Sequence, residues 1–393
     1  MDRSTCDIAI VGGGLAGGLI ALALRQRRPD QDVRLFEAGE TLGGNHRWSW
    51  FASDLDQQAQ HLLAPFHTTQ WTAGYEVRFP TRHRVLPTPY HSLDSADFAA
   101  GLQRELGQNT IHTSCAVTGL AADGVQLADG RSIGARVVID CRDRASVGDF
   151  TGGWQVFMGR HLRLPAPHGV ERPTIMDAAV EQLGGYRFVY VLPLGPREIF
   201  IEDTYYQDTP VLDTAALSAR IDAYAAQHGW HGETIGSETG VLPVITGGDF
   251  AAFQAANRIQ GVGMAGARGG FVHPLTSYTV PFAVETALAI AGAADLPGEQ
   301  MAAMLEARAQ RHWQATGFYR MLGTMLFGAA EPEARWRVFA RFYGLSAGLI
   351  ERFYAARSTL TDRARILCGR PPVSIVRAVR AIASPKPPLK DAA

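Results

Sequence analysis

Cys6-Asp7-Ile8-Ala9-Ile10-Val11-Gly12-Gly13-Gly14-Leu15-Ala16-Gly17-Gly18-Leu19 is the stretch on which the fold turns. An apolar run enters closely spaced glycines and leaves them in a helical pattern, with Leu15, Leu19 and Leu22 on one side. Gly12, Gly14 and Gly17 match the G-x-G-x-x-G fingerprint of a dinucleotide-binding unit. The first glycine permits the tight turn, the second lets a pyrophosphate approach the backbone, and the third lets helix and strand pack closely. The helix N-terminus then offers N–H groups and a positive dipole end to the pyrophosphate. A second strand, Asp32-Val33-Arg34-Leu35-Phe36-Glu37, ends in an acid twenty residues past Gly17. Its carboxylate would accept the hydroxyls of an unphosphorylated adenosine ribose, which suits FAD and NAD alike.

Around this core, 393 residues exceed one typical domain, so two intimately connected domains are expected. Basic and acidic side chains number 37 and 38, which removes any overall electrostatic case for nucleic acid. Cys6, Cys115, Cys141 and Cys368 are scattered and no histidines cluster at metal spacing, so the thiols read as reduced and no metal is expected. The N-terminus enters a strand directly, without the basic and apolar run of a secretory signal, and a cytoplasmic protein is expected. The most apolar long window, residues 282–296, is short of a bilayer span and contains Glu285.

Further along, Gly43-Gly44-Asn45-His46-Arg47-Trp48-Ser49-Trp50 reads as a polar, aromatic loop presented toward a ligand. Residues 75–80 suggest a small antiparallel sheet and 94–106 a helix; 117–133 read as hairpin strands and 136–141 as a strand buried on both faces. From 154 to 249 the pattern alternates, with Tyr186, Phe188, Tyr190 and Leu192 on one strand face. The same alternation sends Glu202 and Asp203 to opposite faces, so one acid can enter a cavity while its neighbour points away. A second strand, glycine loop and helix follow in 261–293, and helical spacing returns in 301–326, 332–343 and 349–357. The tail from 370 carries Arg370, Arg377, Arg380, Lys386 and Lys390 against Asp391, a charge attracted to anionic lipid.

The chain resembles the bacterial lycopene cyclase family. The likeness is carried by the 7–17 opening, residues 43–50, Val138-Ile139-Asp140-Cys141-Arg142 and Tyr190-Val191-Leu192-Pro193-Leu194. It continues in Ile201-Glu202-Asp203-Thr204, the loop 263–278, Phe318-Tyr319-Arg320-Met321-Leu322 and Arg341-Phe342-Tyr343. It departs at Trp50, where Phe is commoner, at Asp143, where Gly is usual, and at Ser277, which replaces a glycine before the tyrosine. The resemblance implies an α/β fold like that of the aromatic hydroxylases, with a Rossmann-like FAD-binding domain, an antiparallel-sheet substrate domain and a C-terminal helical region. These are expected over 1–60, 96–150 and 255–300, over 61–95 and 151–254, and over 301–393 respectively.

It further implies β-ionone ring formation at both ends of lycopene, through γ-carotene to β-carotene, with FAD in its reduced form and NAD(P)H as reductant. No electrons are transferred overall. Gly12, Gly14, Leu15, Ala16, Gly17, Glu37, His46, Gly266, His273, Pro274 and Tyr278 are the expected cofactor-binding residues. Glu202, and secondarily Asp203, are the expected catalytic acids. Trp48, Trp50, Tyr186, Tyr190 and Tyr278 are candidate aromatics facing a cation. Because lycopene resides in the bilayer, peripheral attachment to a lipid surface on the inner face of the cell membrane is expected. A FAD-dependent isoprenoid hydroxylase or epoxidase is the nearest rival; such enzymes commonly carry Gly-Asp in the late flavin loop, where this chain has Gly263-Met264.

Overall fold

The computed structural model describes residues 5–143, 146–369, 371–384 and 386–390. Thr5–Val11 lies between Ser132–Asp140 and Val33–Phe36 and pairs parallel with both. Ile8, Ile10, Val137 and Ile139 are fully buried, as a parallel strand covered on both faces requires. Ile111–His112 and Val262–Met264 extend this sheet in parallel, while Gly124–Leu127 and Val117–Ala121 complete it as antiparallel strands. Helices Leu15–Arg27 and Val280–Gly292 pack together on the sheet through Leu19, Leu22, Val284 and Ala287. Each fully buried large aliphatic side chain there stabilises the fold by about 1.5–3 kcal/mol.

A second sheet runs in the order Glu233–Gly248, Phe150–Arg163, Glu198–Gln207, Tyr186–Gly195, Thr174–Asp177, Tyr75–Phe79, Arg82–Leu86. Alternation gives it two faces. Val189, Val191, Ile199 and Ile201 lie beneath helix Thr214–Gln227, whereas Tyr186, Phe188 and Phe200 face the other way. The hairpin expected near 75–80 forms, but a parallel contact with Thr174–Asp177 joins it to this larger sheet. Part of the loop expected at 43–50 is a strand: Arg47–Phe51 pairs with Tyr90–Asp94 in a three-stranded sheet, with Trp50 and Phe51 buried.

The helix expected over 301–326 is two, Gly298–Ala315 and Gly317–Ala329. They meet at Thr316, whose hydroxyl donates to the carbonyls of His312 (2.8 Å) and Trp313 (3.2 Å), a local bond that competes with the helical ladder. Trp336–Phe342 and Ala347–Tyr354 follow as expected, Leu360–Leu367 adds a helix within the expected helical region, and Ile375–Ala383 adds another inside the basic tail expected from 370. Arg370 and Asp391 of that tail lie outside the described residues. Among the described residues no helix is long and apolar enough to cross a membrane.

Candidate functional site

The first glycines divide their work as their spacing predicts. Gly12 has φ +103, and a Cβ there would lie 2.5 Å from the Cys141 carbonyl oxygen; one on Gly17 would lie 2.0 Å from the Gly12 oxygen. A Cβ on Gly14 would meet nothing within 4 Å. The middle glycine therefore borders open space at the start of Leu15–Arg27, a helix with no side-chain cap and no acid in its first turn. Its free N–H groups suit a phosphate. Glu37 stands beside them, its carboxylate accepting the N–H groups of Gly13 and Gly39, each at 2.7 Å. Gly266 (φ +62) brings the late glycine loop onto the early one, since its Cβ would come within 2.7 Å of the Ala16 Cβ. Open space, uncapped helix and carboxylate together fit an adenine dinucleotide.

The other half of the site is a row across the second sheet. Glu202 is in register with Tyr190 on one neighbouring strand and with Gly159 on the other, and Gly159 is also in register with Glu238. These positions share the face that carries Phe157, Phe188 and Phe200. They line a cavity of about 350 Å³ that is also walled by Trp48, Tyr278 and Ala267, the last adjoining Gly266 of the glycine cradle. Glu202 accepts the Thr204 hydroxyl at 2.6 Å. Burial raises the Glu202 carboxyl well above the usual range, against that one opposing hydrogen bond. Burial raises Glu238 as well, reinforced by Glu202 and opposed by Arg47, whose backbone N–H also bonds the Glu238 carboxylate. Asn45 Nδ2 donates to the Ser237 carbonyl (2.8 Å), fastening the 43–50 segment beside Glu238. Above Glu202, the hydroxyls of Tyr190 and Tyr278 both bond that of Tyr90, the latter at 2.8 Å.

A family model described as "Lycopene cyclase protein" matches residues 7–380. The chain belongs to the lycopene cyclase family. It is 43% identical over 377 residues to the lycopene beta-cyclase of Pantoea ananas, covering 96% of this chain and 97% of that one. It is 44% identical to that of Pseudescherichia vulneris (98% and 99% covered) and 39% to that of a Paracoccus species (98% and 99%). Among solved structures, halogenase PltM superposes with TM-score 0.61 at 13% identity, covering 94% of this chain and 87% of PltM. The flavin-dependent brominase Bmp2 gives 0.60 at 13% (92% and 97%), and a geranylgeranyl bacteriochlorophyll reductase-like protein from Thermoplasma acidophilum gives 0.57 at 12% (96% of each). The α/β architecture with its large second sheet and C-terminal helices is thus the one these proteins share.

Within this cyclase-family fold the expected residues separate. Glu202, His46, Trp48, Tyr190 and Tyr278 line the cavity. Asp203 lies on the opposite face, fully buried, with Arg187 Nε donating to it at 2.8 Å and Tyr205 OH at 3.3 Å. Burial raises its carboxyl and Arg187 pulls it back, which ties two neighbouring strands, and Tyr205 OH accepts Arg220 of the covering helix Thr214–Gln227 at 2.7 Å. Leu15 is core, Trp50 stacks on His91 at 5.5 Å, and Tyr186 stacks on Phe339 at 4.2 Å. His273 is an internal tie: Nδ1 accepts the N–H groups of Leu275 (3.3 Å) and Thr276 (3.2 Å), while Nε2 lies 3.1 Å from the Phe353 carbonyl. Pro274 is buried, and its carbonyl accepts the Ile245 N–H at 3.0 Å. Sequence reasoning missed Glu238, Arg47 and Phe200. No motif marks Glu238; only its register with Gly159 places it.

Proposed function

We propose that this chain is a lycopene β-cyclase that uses reduced FAD to close a β-ionone ring at each end of lycopene without net oxidation. The observation that carries the reading is Glu202. It is a carboxyl that burial pushes up to about 7, with no cation against it among the described residues, in an aromatic cavity that abuts a dinucleotide cradle. Gly12, Gly14 and Gly17 would hold the FAD pyrophosphate and Glu37 its ribose, with a nicotinamide nucleotide as reductant. When bound, reduced FAD supplies an electron-rich, negatively charged ring that stabilises positive charge nearby.

The chain's own residues do the rest. Glu202 presents a proton to the terminal alkene. Trp48, Tyr190 and Tyr278 offer aromatic faces and hydroxyl dipoles to the resulting carbocation. Apolar Phe157, Phe188, Phe200 and Leu242 exclude the water that would trap it. A cavity of about 350 Å³ admits one end of a C40 polyene, so the two rings form in turn. The substrate's solubility requires a lipid surface, and helix Ile375–Ala383 supplies a means of reaching one. Ile375, Val376, Val379 and Ile382 are 66, 69, 61 and 50% exposed, with Arg377 and Arg380 on the same helix. Beneath it a second, apolar cavity of about 300 Å³ shares Thr276, Phe339 and Tyr354 with the first.

Incubating purified protein with lycopene, dithionite-reduced FAD and liposomes, read by chromatography, should yield β-carotene through a monocyclic intermediate. Glu202→Gln, with FAD content unchanged, should lose roughly a hundredfold or more in turnover. Near-normal turnover by that variant would remove Glu202 from the chemistry.

A further inference from the structure

Cyclisation adds one proton and removes another from a different carbon, and Glu202 accounts for the first. The central strand Phe150–Arg163 points Phe157, Gly159 and His161 to one face, with glycine where a side chain would block the row. Gly159 opposes Glu202 on one side and Glu238 on the other. Cross-strand partners share a face, so two carboxyls flank a position without a side chain, their backbones about 10 Å apart by strand spacing. A Cβ on Gly159 would meet the Phe200 ring at 2.2 Å. That ring occupies the gap and keeps it apolar. Both acids line the cavity.

Their charge environments differ. Glu202 is bonded by a neutral hydroxyl, Thr204, and no cation among the described residues lies against it. Glu238 receives the backbone N–H of Arg47 and lies in the field of its guanidinium. The latter is held by Asp94 (3.1 Å) and Ser92 (3.2 Å). Two carboxyls facing one dry cavity resist ionising together, so one holds the proton while the other carries the charge; burial raises both, and the Arg47 N–H and guanidinium lie against Glu238.

We propose that Glu238 is the second catalytic carboxylate, the base that removes the proton on which β-ring identity depends. This rests on the cyclase reading of the same cavity. Glu202 gives its carboxyl proton to the terminal alkene and becomes a carboxylate. The internal alkene closes on the new cation, leaving charge beside the carbon where the ring closed. Glu238 takes the hydrogen from that closure carbon, the C–H electron pair becomes the ring double bond, and Glu238 becomes a carboxylic acid. One proton has crossed the row, with no oxidant or reductant consumed. A proton must return to Glu202 before the second end reacts.

The test is Glu238→Gln holoenzyme incubated with lycopene in D2O, with ring isomers separated by chromatography and deuterium read by mass spectrometry. β-Ring formation should fall by roughly a hundredfold. The cation, still formed by Glu202, should lose its proton elsewhere, giving rings with displaced double bonds, or reopen to lycopene that carries deuterium. Glu238→Asp, one methylene shorter, should restore predominantly β rings at reduced rate. Wild-type turnover by Glu238→Gln would overturn the proposal. So would a slow Glu238→Gln that makes β rings alone and returns unlabelled lycopene. If Glu238→Gln does not fold, Glu238→Asp decides: predominantly β rings at reduced rate, accompanied by a fraction with displaced double bonds, support the assignment, and β rings alone at any rate refute it. A wild-type enzyme that makes no cyclic product refutes instead the function on which this rests.

Discussion

Glu202 and Asp203 are neighbours with the same functional group, and one strand step gives them opposite duties. Asp203 meets Arg187 and becomes a fixed ion pair; Glu202 meets a cavity, where burial pushes its carboxyl up to about 7. The same reasoning assigns His273 to stability. Burial holds its imidazole down at about 3, so the folded protein carries it neutral. The unfolded chain binds a proton at this residue near pH 6.5 and the folded one does not, so the stabilisation is full above that pH and is lost as pH falls toward 3. The loss should be on the order of 5 kcal/mol at its limit. Urea midpoints measured between pH 7 and pH 4 should fall for the wild type and fall less for His273→Gln, which cannot acquire that charge. Equal slopes would exclude the role. Ser277 also repays a close look: at φ +58 it holds a left-handed backbone that glycine adopts freely, which explains the glycine usual there and locates the strain of the exception.

At the scale of elements, strand register builds the site, and one helix carries the apolar ridge proposed to meet lipid. Ile375–Ala383 is held by Ala381 against Gly328, by Arg377 to Glu331 (2.7 Å), and by the following Lys386, which donates to the Thr324 carbonyl (3.1 Å). Lys386 is half-buried, and burial lowers its ammonium from the usual value. The tail is therefore less a loose cationic arm than an anchored helix with an apolar ridge, and if the proposed docking to lipid holds, that ridge should dominate it. Val376→Glu with Val379→Glu should reduce sedimentation with anionic liposomes at least tenfold, while 0.5 M salt should weaken wild-type binding only modestly. Full release of the wild type by salt would reverse that order of importance.

For the molecule as a whole, the cofactor half was legible because its tasks are local. Gly12, Gly14, Gly17 and Glu37 lie within one strand–turn–helix–strand unit, and spacing alone carries that information. The alternation that parted Glu202 from Asp203 was legible for the same reason. Glu238 was not, because its meaning lies in pairing across Gly159 with a strand that ends thirty residues earlier. The contact of His273 was not legible, because a histidine in a glycine-rich loop reads identically whether it faces a ligand or ties the loop to the carbonyl of Phe353. The terminal helix went unseen because basic residues in a proline-containing tail concealed the spacing of Ile375, Val379 and Ile382. What these parts are assembled to do is move protons, and never electrons or oxygen, across a hydrocarbon. The direct measurement is the mass of the pigment made by the wild-type holoenzyme from unlabelled lycopene in D2O. One deuterium retained per ring, in a product otherwise isomeric with lycopene, is the expected result; a gain of oxygen, or cyclic product without deuterium, would contradict the account.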